Sequence, residues 1–499
     1  MAKRKNKVRN YVSAEAYRLS PEWQLYVAAV TSSLSDKFYE KAQDRVEALR
    51  KLIKQCDPVF VAQLAVYTRT KMNLRSIPLV LAVELAKVHC GDDLVKRMTS
   101  QVIRRADEIT ELLAYYQLAN ERESIKKLNR LSKQLQVGLQ VAFNQFDEYQ
   151  FAKYNRDTEI KLRDALFLVH PKAKDETQQV IFNKIVNNTL ETPYTWETEL
   201  SALGKAHYAD DNERSIAFRM KWEELVDSQK LGYMALIRNL RNILEARVSQ
   251  QCIAKGCNTL ANPEAVRRSK QLPFRFLAAY REISKVKSAY AGRMLDALEE
   301  AVTVSARSIT GFDENTKVLI ACDVSGSMQR PLSPKSKILC YDIGLMMAMI
   351  LKSRCKNAIT GIFGDKWKVI NVPSKSILSN VDTLYHYANE VGYSTNGYLV
   401  IEDLIRRKEL VDKIMFFTDC QLWNSRNDKK IVDLWNTYKK ISPDSKLYLF
   451  DLAGYGNTPL DTNREDVYLI AGWSDKIFDI IAAIDNGSNA LGEIKKTVL

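Results

Sequence analysis

The stretch Val318-Leu-Ile-Ala-Cys-Asp323-Val-Ser325-Gly-Ser327-Met328 decides the fold of the carboxy-terminal part of this chain. A strand-like apolar run stops at Asp323, and two serines follow at alternate positions. One carboxylate and two hydroxyls are therefore expected at the end of a buried strand, where open α/β sheets collect their ligands. Oxygen ligands of this kind suit Mg²⁺, which keeps several waters and few protein carboxylates. The motif predicts a divalent-cation site.

Strand and helix signals alternate after this motif. Residues 337–351 form an apolar run of helical length, and a turn-rich loop at 392–397 opens another helix near Tyr398. The short apolar runs typical of buried strands lie at 358–363, 413–417 and 446–452. This alternation predicts βαβ units and a parallel sheet.

In this context the Asp-x-Ser-x-Ser pattern resembles the metal-ion-dependent adhesion site of von Willebrand factor A domains. The resemblance implies a Rossmann-like domain in which Asp323, Ser325 and Ser327 bind Mg²⁺ or another divalent cation. It adds Thr395 from a second loop and Asp419 from a third loop as completing ligands. The alternative interpretation is a serine cluster at a strand end that binds no metal.

Composition sets the broad class of the protein. A chain of 499 residues predicts two or three domains, with 46% hydrophobic and 27% charged residues as in ordinary globular proteins. The sequence has no apolar run of membrane-spanning length, no apolar signal-peptide core at the amino terminus, and eight scattered cysteines without a disulfide framework. We therefore expect a cytoplasmic protein without membrane contact, with a helical domain at 1–310 and an α/β domain at 311–499.

The net charge of +14 is distributed unevenly along the chain. Residues 311–499 contain 24 Lys and Arg against 23 Asp and Glu, whereas residues 1–310 contain 50 against 37. Nearly all the positive excess therefore belongs to the first region. Such an excess indicates a polyanionic partner, usually nucleic acid, and its alternative is a basic surface that only favours solubility.

The first region is expected to be helical, with no strand before Thr316. Apolar residues recur at three- and four-residue steps in nine segments, namely 42–53, 60–67, 79–88, 94–103, 112–118, 128–143, 180–190, 234–244 and 289–304. Turn signals such as Asp57-Pro58, Thr192-Pro193 and Asn262-Pro263 separate them. About fifteen modest helices with short loops favour an α-solenoid of HEAT-like helix pairs.

Three segments of this helical region, Ala65–Pro78, Leu166–Lys172 and Met234–Arg241, resemble motifs of the TROVE module of the Ro autoantigen family. The order of a TROVE-like region and an A domain matches that family as well. The resemblance implies a monomeric ring, in which the A domain bridges the two ends of the solenoid. It implies binding of small structured Y-like RNAs on the outer surface and of single-stranded ends of misfolded RNA in the central hole. Arg75, beside Pro78, is expected to have a structural role.

The TROVE resemblance points to Lys153, Arg156, His170 and Lys172 as RNA contacts, because the family uses a basic pair and a histidine in this stretch. The chemistry agrees, since Lys and Arg neutralise phosphates and histidine bonds to phosphate or stacks on a base. His170 could instead cap a helix end before Pro171.

Further candidate RNA contacts are Arg238, Arg241, Arg267, Arg268 and Lys270. The first two lie three residues apart in the third TROVE-like segment, and packing against a neighbouring repeat is the alternative role for them. The other three form a short basic run, which as an alternative is a solvated helix face.

Enzyme motifs are weak in this sequence. It has four histidines, none paired at metal-ligand spacing, and neither a Walker phosphate loop nor a Gly-x-Ser-x-Gly turn. The leading hypothesis is a non-catalytic RNA-binding ring for RNA quality control or ribonucleoprotein scaffolding, with an exoribonuclease as a candidate partner. The second is a protein-interaction module that recruits an acidic partner through the metal, and the third is a metal-dependent nuclease using Asp323 and Asp419.

Overall fold

The computed structural model describes residues 7–31, 42–120, 131–155, 157–307, 309, 312–332, 336–423 and 430–499. Helices dominate up to residue 307, and a helix-flanked, mainly parallel sheet follows from residue 317. This architecture confirms the expected fold class, a helical region joined to an α/β domain.

The helical region contains seventeen helices among the described residues. In chain order they are α1 (Pro21–Val30), α2 (Ala42–Ile53), α3 (Pro58–Thr70), α4 (Ser76–Val88), α5 (Leu94–Val102), α6 (Asp107–Ala119), α7 (Lys133–Phe143), α8 (Glu148–Tyr154), α9 (Leu162–Val169), α10 (Glu176–Asn187), α11 (Trp196–Lys205), α12 (Asp211–Asp227), α13 (Tyr233–Glu245), α14 (Gln250–Ala261), α15 (Pro263–Ser269), α16 (Phe274–Ile283) and α17 (Ala291–Ala306). Most of them pack on helices one to three places along the chain, such as α3 on α4 and α5 on α7, as in HEAT-type repeats.

The predicted turn signals begin helices for identifiable reasons. Asp57 caps α3 by accepting a hydrogen bond from the Val59 N–H, and Pro58 occupies the first helical position, where no donor is lost. Asn262 and Pro263 start α15 in the same way, with the Asn262 side chain accepting from the Ala265 N–H.

Nine strands are present in the described residues. They are β1 (Lys7–Arg9), β2 (Glu15–Arg18), β3 (Lys317–Asp323), β4 (Asn357–Phe363), β5 (Trp367–Val369), β6 (Lys413–Thr418), β7 (Lys446–Asp451), β8 (Asn457–Thr458) and β9 (Val467–Ala471). The predicted strands at 318–323, 358–363, 413–417 and 446–452 are therefore confirmed within one residue. Helices α18 (Cys340–Arg354), α19 (Ile377–His386), α20 (Ala388–Val391), α21 (Tyr398–Arg407), α22 (Ile431–Ile441), α23 (Ile477–Asp485) and α24 (Ala490–Lys495) accompany them.

The expectation that no strand precedes Thr316 is wrong. Strands β1 and β2 pair antiparallel, and β2 pairs in turn with β8 to give a three-stranded sheet. These strands are only three, four and two residues long, which is too short for an alternating pattern to show in the sequence. The outer partner of β2, strand β8, lies more than 400 residues away in the chain, as in the pair Arg18 and Asn457.

The main sheet has the strand order β5-β4-β3-β6-β7-β9, and all its pairs are parallel except β4 with β5. From β3 the chain moves to β4 on one side and to β6 on the other, so the strand order reverses at β3. The crevice at the carboxyl ends of β3 and β6 is the position where open α/β sheets bind ligands.

Contacts divide the chain into two compact units. One comprises residues 1–45 and 203–490, and the other comprises residues 46–202 and 491–499. The first unit thus contains the later helices as well as the sheet. The boundary expected between residues 310 and 311 stays a prediction, since both residues lie outside the described ranges.

In the unit of residues 46–202, Arg75 belongs to a network of ion pairs that joins α3, α4 and α6. Its guanidinium bonds to Asp107, Glu108 and Glu111, and Arg69 makes two bonds of 2.8 and 3.0 Å to the fully buried Glu108. The structural role expected for Arg75 is confirmed.

None of the helices in the described ranges combines the length and apolarity that a bilayer crossing requires. The eight cysteines all lie in the described ranges and are not joined by disulfides.

Candidate metal centre and nucleic-acid surface

The loops that follow β3 and β6 bring the predicted metal ligands together. Asp323 ends β3, where it is paired with Phe363 of β4, and Asp419 directly follows β6 on the other side of β3. Thr418, the residue before Asp419, donates its hydroxyl to Asp323 Oδ2 at 2.6 Å. Both aspartates are only 1% exposed, as expected for residues at the switch point of a covered parallel sheet.

The serines of the motif sit in the turn after β3. Ser325 donates its backbone N–H to Asp323 Oδ1 at 2.9 Å, and its hydroxyl lies 3.3 Å from the Ser327 hydroxyl. A short 3₁₀ turn at Gly326–Gln329 then begins, so both serine side chains stay buried at the end of the strand. The turn therefore presents one carboxylate and two hydroxyl oxygens from five consecutive residues.

Thr395 is held in place by hydrogen bonds between loops. The Gly326 N–H donates to the Tyr393 carbonyl and the Trp423 N–H donates to the Thr395 carbonyl, both at 2.9 Å. Gly392 adopts a φ of +75°, which favours glycine, and a Cβ there would meet the Asp365 carboxylate at 2.0 Å. The second loop is therefore bonded both to the turn after β3 and to the segment after β6, which carry the other predicted ligands.

Burial makes both carboxylates costly to ionise. The pKa of Asp323 is raised by burial and by the neighbouring charge of Asp419, and burial raises the pKa of Asp419 as well. A bound cation would favour the charged form of both groups and offset this cost.

The donor set fits a hard divalent cation. Thr395 Oγ1 and Asp419 Oδ2 are both buried without a hydrogen-bond partner in the described structure, which is uncommon for buried polar atoms. No three side chains of His, Cys, Asp or Glu cluster as metal ligands within the described ranges, so the site depends on hydroxyl oxygens beside two carboxylates. Such a set matches Mg²⁺, which keeps waters and accepts few carboxylates.

Lys153, His170 and Lys172 all lie in the unit of residues 46–202 and are exposed. Asn144, at the end of α7, donates to the Lys172 carbonyl at 2.9 Å, and Gln140 donates to the His170 carbonyl at 3.2 Å. His170 and Lys172 therefore lie beside the carboxyl end of α7. Lys153 lies on the next helix, α8, which starts four residues after Asn144. Arg156 lies outside the described residues.

The alternative role of His170 as a helix cap is present in the structure, but it uses only the backbone. His170 ends α9 with a φ of 51°, and its N–H donates to the Leu166 carbonyl at 2.9 Å. Its imidazole makes no hydrogen bond to any described residue and points away from the core, since the residue is exposed. The backbone cap and a ligand contact by the ring are therefore compatible.

The other five candidates lie in the unit that contains the sheet. Arg241 pairs with Glu282 of α16 at 3.0 Å, as the packing alternative requires. Exposed Arg238 has no carboxylate partner in the described structure, and its charge lies near Arg275, whose pKa is lowered by burial and by Arg238. Arg238 is therefore better placed than Arg241 to bind a phosphate.

The basic run on α15 has the features of a solvated face. Arg267 and Arg268 are 65% and 82% exposed in their side chains, and both pair with Glu264 on the same helix. Lys270 ends this helix in a left-handed backbone conformation with a φ of 49°. Ion pairs as exposed as these contribute little to stability, so a phosphate could replace Glu264 as their partner at little cost.

Sequence reasoning missed the aromatic residues beside Lys153. The Lys153 ammonium lies 5.6 Å from the ring centroid of Tyr149 and 5.8 Å from that of Tyr154, and the Arg105 guanidinium lies 4.2 Å from the Tyr154 centroid. On α9, Arg163 lies over the exposed ring of Phe167 at 5.6 Å. The spacing of four residues between Tyr149 and Lys153, one helical turn, could have revealed the first pair.

Comparisons with known proteins agree with this organisation. The TROVE domain family matches residues 27–221 and 189–309, and the Ro60 vWA domain family matches residues 317–484. The crystal structure of the Deinococcus radiodurans RO (RSR) protein superposes with a TM-score of 0.59 at 18% sequence identity, covering 93% of this chain and 99% of that one.

Two curated relatives share part of the sequence. The telomerase protein component 1 of Mus musculus is 26% identical over 299 residues, and that of Rattus norvegicus is 25% identical over 311 residues. Each alignment covers 46% of this chain but only 11% of the relative, so the chain spans a small part of their length. The family models, by contrast, together cover the helical region and the sheet, and the chain is a member of the Ro autoantigen family, with a TROVE domain followed by a Ro60-type von Willebrand factor A domain.

Proposed function

We propose that this protein is a non-catalytic RNA-binding protein whose helical domain binds the phosphate backbone of RNA. The observation that carries the proposal is that His170 and Lys172 are exposed and held at the carboxyl end of α7, with Lys153 exposed on the next helix, α8. None of the three side chains pairs with a carboxylate among the described residues, so their hydrogen-bonding capacity is available to a ligand. The excess of 50 basic over 37 acidic residues in the first 310 residues supports a polyanionic ligand.

Membership of the Ro family supports the finer proposals. The ligands are small structured Y-like RNAs on the outer surface of a monomeric ring and single-stranded ends of misfolded RNA in its central hole. The protein acts in RNA quality control or as a cytoplasmic ribonucleoprotein scaffold, with an exoribonuclease as partner. Asp323 and Asp419 hold Mg²⁺ in this proposal and do not cleave RNA.

Replacing Lys153, His170 and Lys172 together by alanine is expected to weaken binding to a structured RNA and to reduce its salt dependence. Each lost phosphate contact lowers the slope of log affinity against log salt by roughly 0.7–0.9. Two lost lysine contacts should therefore reduce the slope by about 1.5. Fluorescence anisotropy titrations between about 50 and 300 mM KCl measure both the RNA affinity and its dependence on salt.

Lys356→Ala is the matched control, because Lys356 is an exposed lysine in the α/β domain that pairs with Glu314. It removes one positive charge without touching the α7 end and should leave the slope unchanged. An RNA affinity that is equal for the triple variant and the control would contradict the proposed contact surface.

The sheet edge that carries the predicted metal ligands, at the carboxyl ends of β3 and β6, supports a second role, which is recruitment of an acidic partner protein. Three aromatic residues at this edge, Tyr11, Tyr393 and Trp423, are 46–48% exposed. Their backbones bond to the ligand-bearing loops, since Tyr11 N–H donates to Gln421, two residues after Asp419. Exposed aromatic side chains are enriched at protein interfaces. Partner binding that EDTA abolishes while RNA binding persists would establish this role.

A further inference from the structure

A cavity of about 310 Å³ lies beside the last residue of α8. Tyr154 forms one wall, and Asp107, Glu111 and Glu159 supply carboxylates, with small and apolar side chains such as Ala114 between them. This volume is at the lower end of the range for small-ligand sites, about 300 Å³. One planar group of modest size can therefore enter it.

The three carboxylates differ in how far they are already engaged. Asp107 accepts from Arg105 and Arg75, and Glu111 accepts from the Ser76 hydroxyl at 3.0 Å and from Arg75 at 3.4 Å. Glu159 has a single contact in the described structure, with the Gln117 amide nitrogen at 3.5 Å. Glu159 is thus the carboxylate with the most unused acceptor capacity at this cavity.

Gln117, the residue that contacts Glu159, does not itself line the cavity. It is 3% exposed, and its Oε1 has no hydrogen-bond partner among the described residues. Glu159, by contrast, is exposed and lines the cavity. Its carboxylate is therefore the acceptor that a ligand with N–H donors can reach.

The Tyr154 wall is aromatic and flanked by cations. Arg105 covers the Tyr154 ring at 4.2 Å, and the Lys153 ammonium lies within 6 Å of the centroids of both Tyr154 and Tyr149, at 5.8 and 5.6 Å. The Tyr149 ring is 48% exposed. Aromatic rings interleaved with cations are the arrangement that binds unpaired bases and their phosphates.

We propose that this cavity captures one unpaired guanine base of a bound RNA strand. Tyr154 stacks on the base, Lys153 contacts its phosphate, and Glu159 accepts hydrogen bonds from the base edge. Among the four bases, guanine presents two adjacent N–H donors, N1–H and the 2-amino group, which match a carboxylate. The proposal rests on the RNA-binding function and names the base that the site selects.

The test compares two single-stranded decamers of uridine that carry one central guanosine or one central inosine. Inosine lacks only the 2-amino group, so the pair isolates one hydrogen bond to Glu159. Anisotropy titrations of the full chain should give about tenfold tighter binding of the guanosine strand, as a hydrogen bond to a charged acceptor provides. Glu159→Gln should reduce this ratio to about one, because an amide is a weaker acceptor and competes as a donor.

Glu197→Gln, at an exposed position on α11 outside the cavity, removes the same charge and should keep the ratio. Tyr154→Ala should weaken both strands, and Tyr154→Phe should restore them, because stacking needs the ring and not the hydroxyl. Equal affinities of the wild type for the two strands, or an unchanged ratio in Glu159→Gln, would overturn the guanine site. Failure of the wild type to bind either strand or a structured RNA would instead remove the proposed function.

Discussion

Asp419→Asn is expected to abolish the response of this protein to Mg²⁺ while leaving its fold intact. Asp419 Oδ1 accepts from the Gln421 N–H at 3.0 Å, a bond that the asparagine oxygen can keep. The substitution replaces the charged Oδ2, which has no hydrogen-bond partner in the described structure, by a neutral amide NH₂ group. Because the metal would lose one of its two carboxylates, the Mg²⁺ affinity should fall by more than about 100-fold, beyond the usual effect of an outer-shell change.

The wild type and the Asp419→Asn variant should also differ in how Mg²⁺ changes their stability. Without metal, burial raises the pKa of both Asp323 and Asp419, and the charge of Asp419 raises that of Asp323 further, so the variant should unfold at the same or a higher temperature than the wild type. With Mg²⁺ at 100 times its dissociation constant, the wild type should gain about 2.7 kcal/mol and the variant almost nothing. Thermal unfolding in EDTA and in MgCl₂, together with calorimetric titration, measures both effects.

Asp451→Asn is the matched control for this experiment. Asp451 ends the next strand, β7, is fully buried, and has a pKa raised to about 7 by burial. Its Oδ1 accepts from two backbone N–H groups and its Oδ2 has no partner, so it resembles Asp419 in everything except membership of the predicted ligand set. A Mg²⁺ response lost in Asp451→Asn and retained in Asp419→Asn would show that the ligand set is wrong.

The positions of the two predicted carboxylate ligands could be anticipated because their signals are local in sequence. Asp323 and Asp419 each follow an apolar run, and parallel strands place such residues at one edge of the sheet. The prediction of Thr395 as a ligand depended on the family resemblance, since no strand-like apolar run directly precedes it. The loop geometry that brings it to the site depends on a bond between Gly326 and Tyr393, residues 67 positions apart.

Contacts between distant segments escaped prediction for a physical reason. The amino-terminal strands β1 and β2 are stabilised by β8 and by the bond from the Asn10 side chain to the Leu422 carbonyl, neither of which leaves a local signal. The aromatic residues beside Lys153 were missed because exposed tyrosines on a helix are common. Only the structure shows that Tyr154 borders a cavity.

The division into units has an equally non-local cause. Arg281, on α16 of the helical domain, makes two parallel bonds of 2.8 Å to the Asp342 carboxylate on α18. Its Nε donates to Asp382 on α19 at 2.9 Å. Glu299 of α17 accepts from the backbone N–H of Leu378, also on α19. These bonds explain why the later helices form one compact unit with the sheet, across the boundary that the sequence predicts.

Arg281→Ala is expected to destabilise this unit by about 3–5 kcal/mol, because it leaves the Asp342 carboxylate buried without a counter-charge. The Asp342 side chain is 0% exposed, and that of Arg281 is 21% exposed. Burial lowers the pKa of Arg281, but the two aspartates outweigh this effect and raise it, so the guanidinium stays charged. Urea unfolding followed by circular dichroism measures the change in the free energy of unfolding.

The loss of stability should come from the unpaired charge of Asp342 rather than from lost packing, and a double variant separates these two causes. Asp342→Asn removes that charge, so Arg281→Met combined with Asp342→Asn should be more stable than Arg281→Met alone by at least about 1 kcal/mol. Arg267→Ala, which breaks the exposed pair with Glu264, is the control and should change stability by less than about 0.5 kcal/mol. If Arg281→Ala were as mild as this control, the buried pair would not be what joins α16 to the α/β domain.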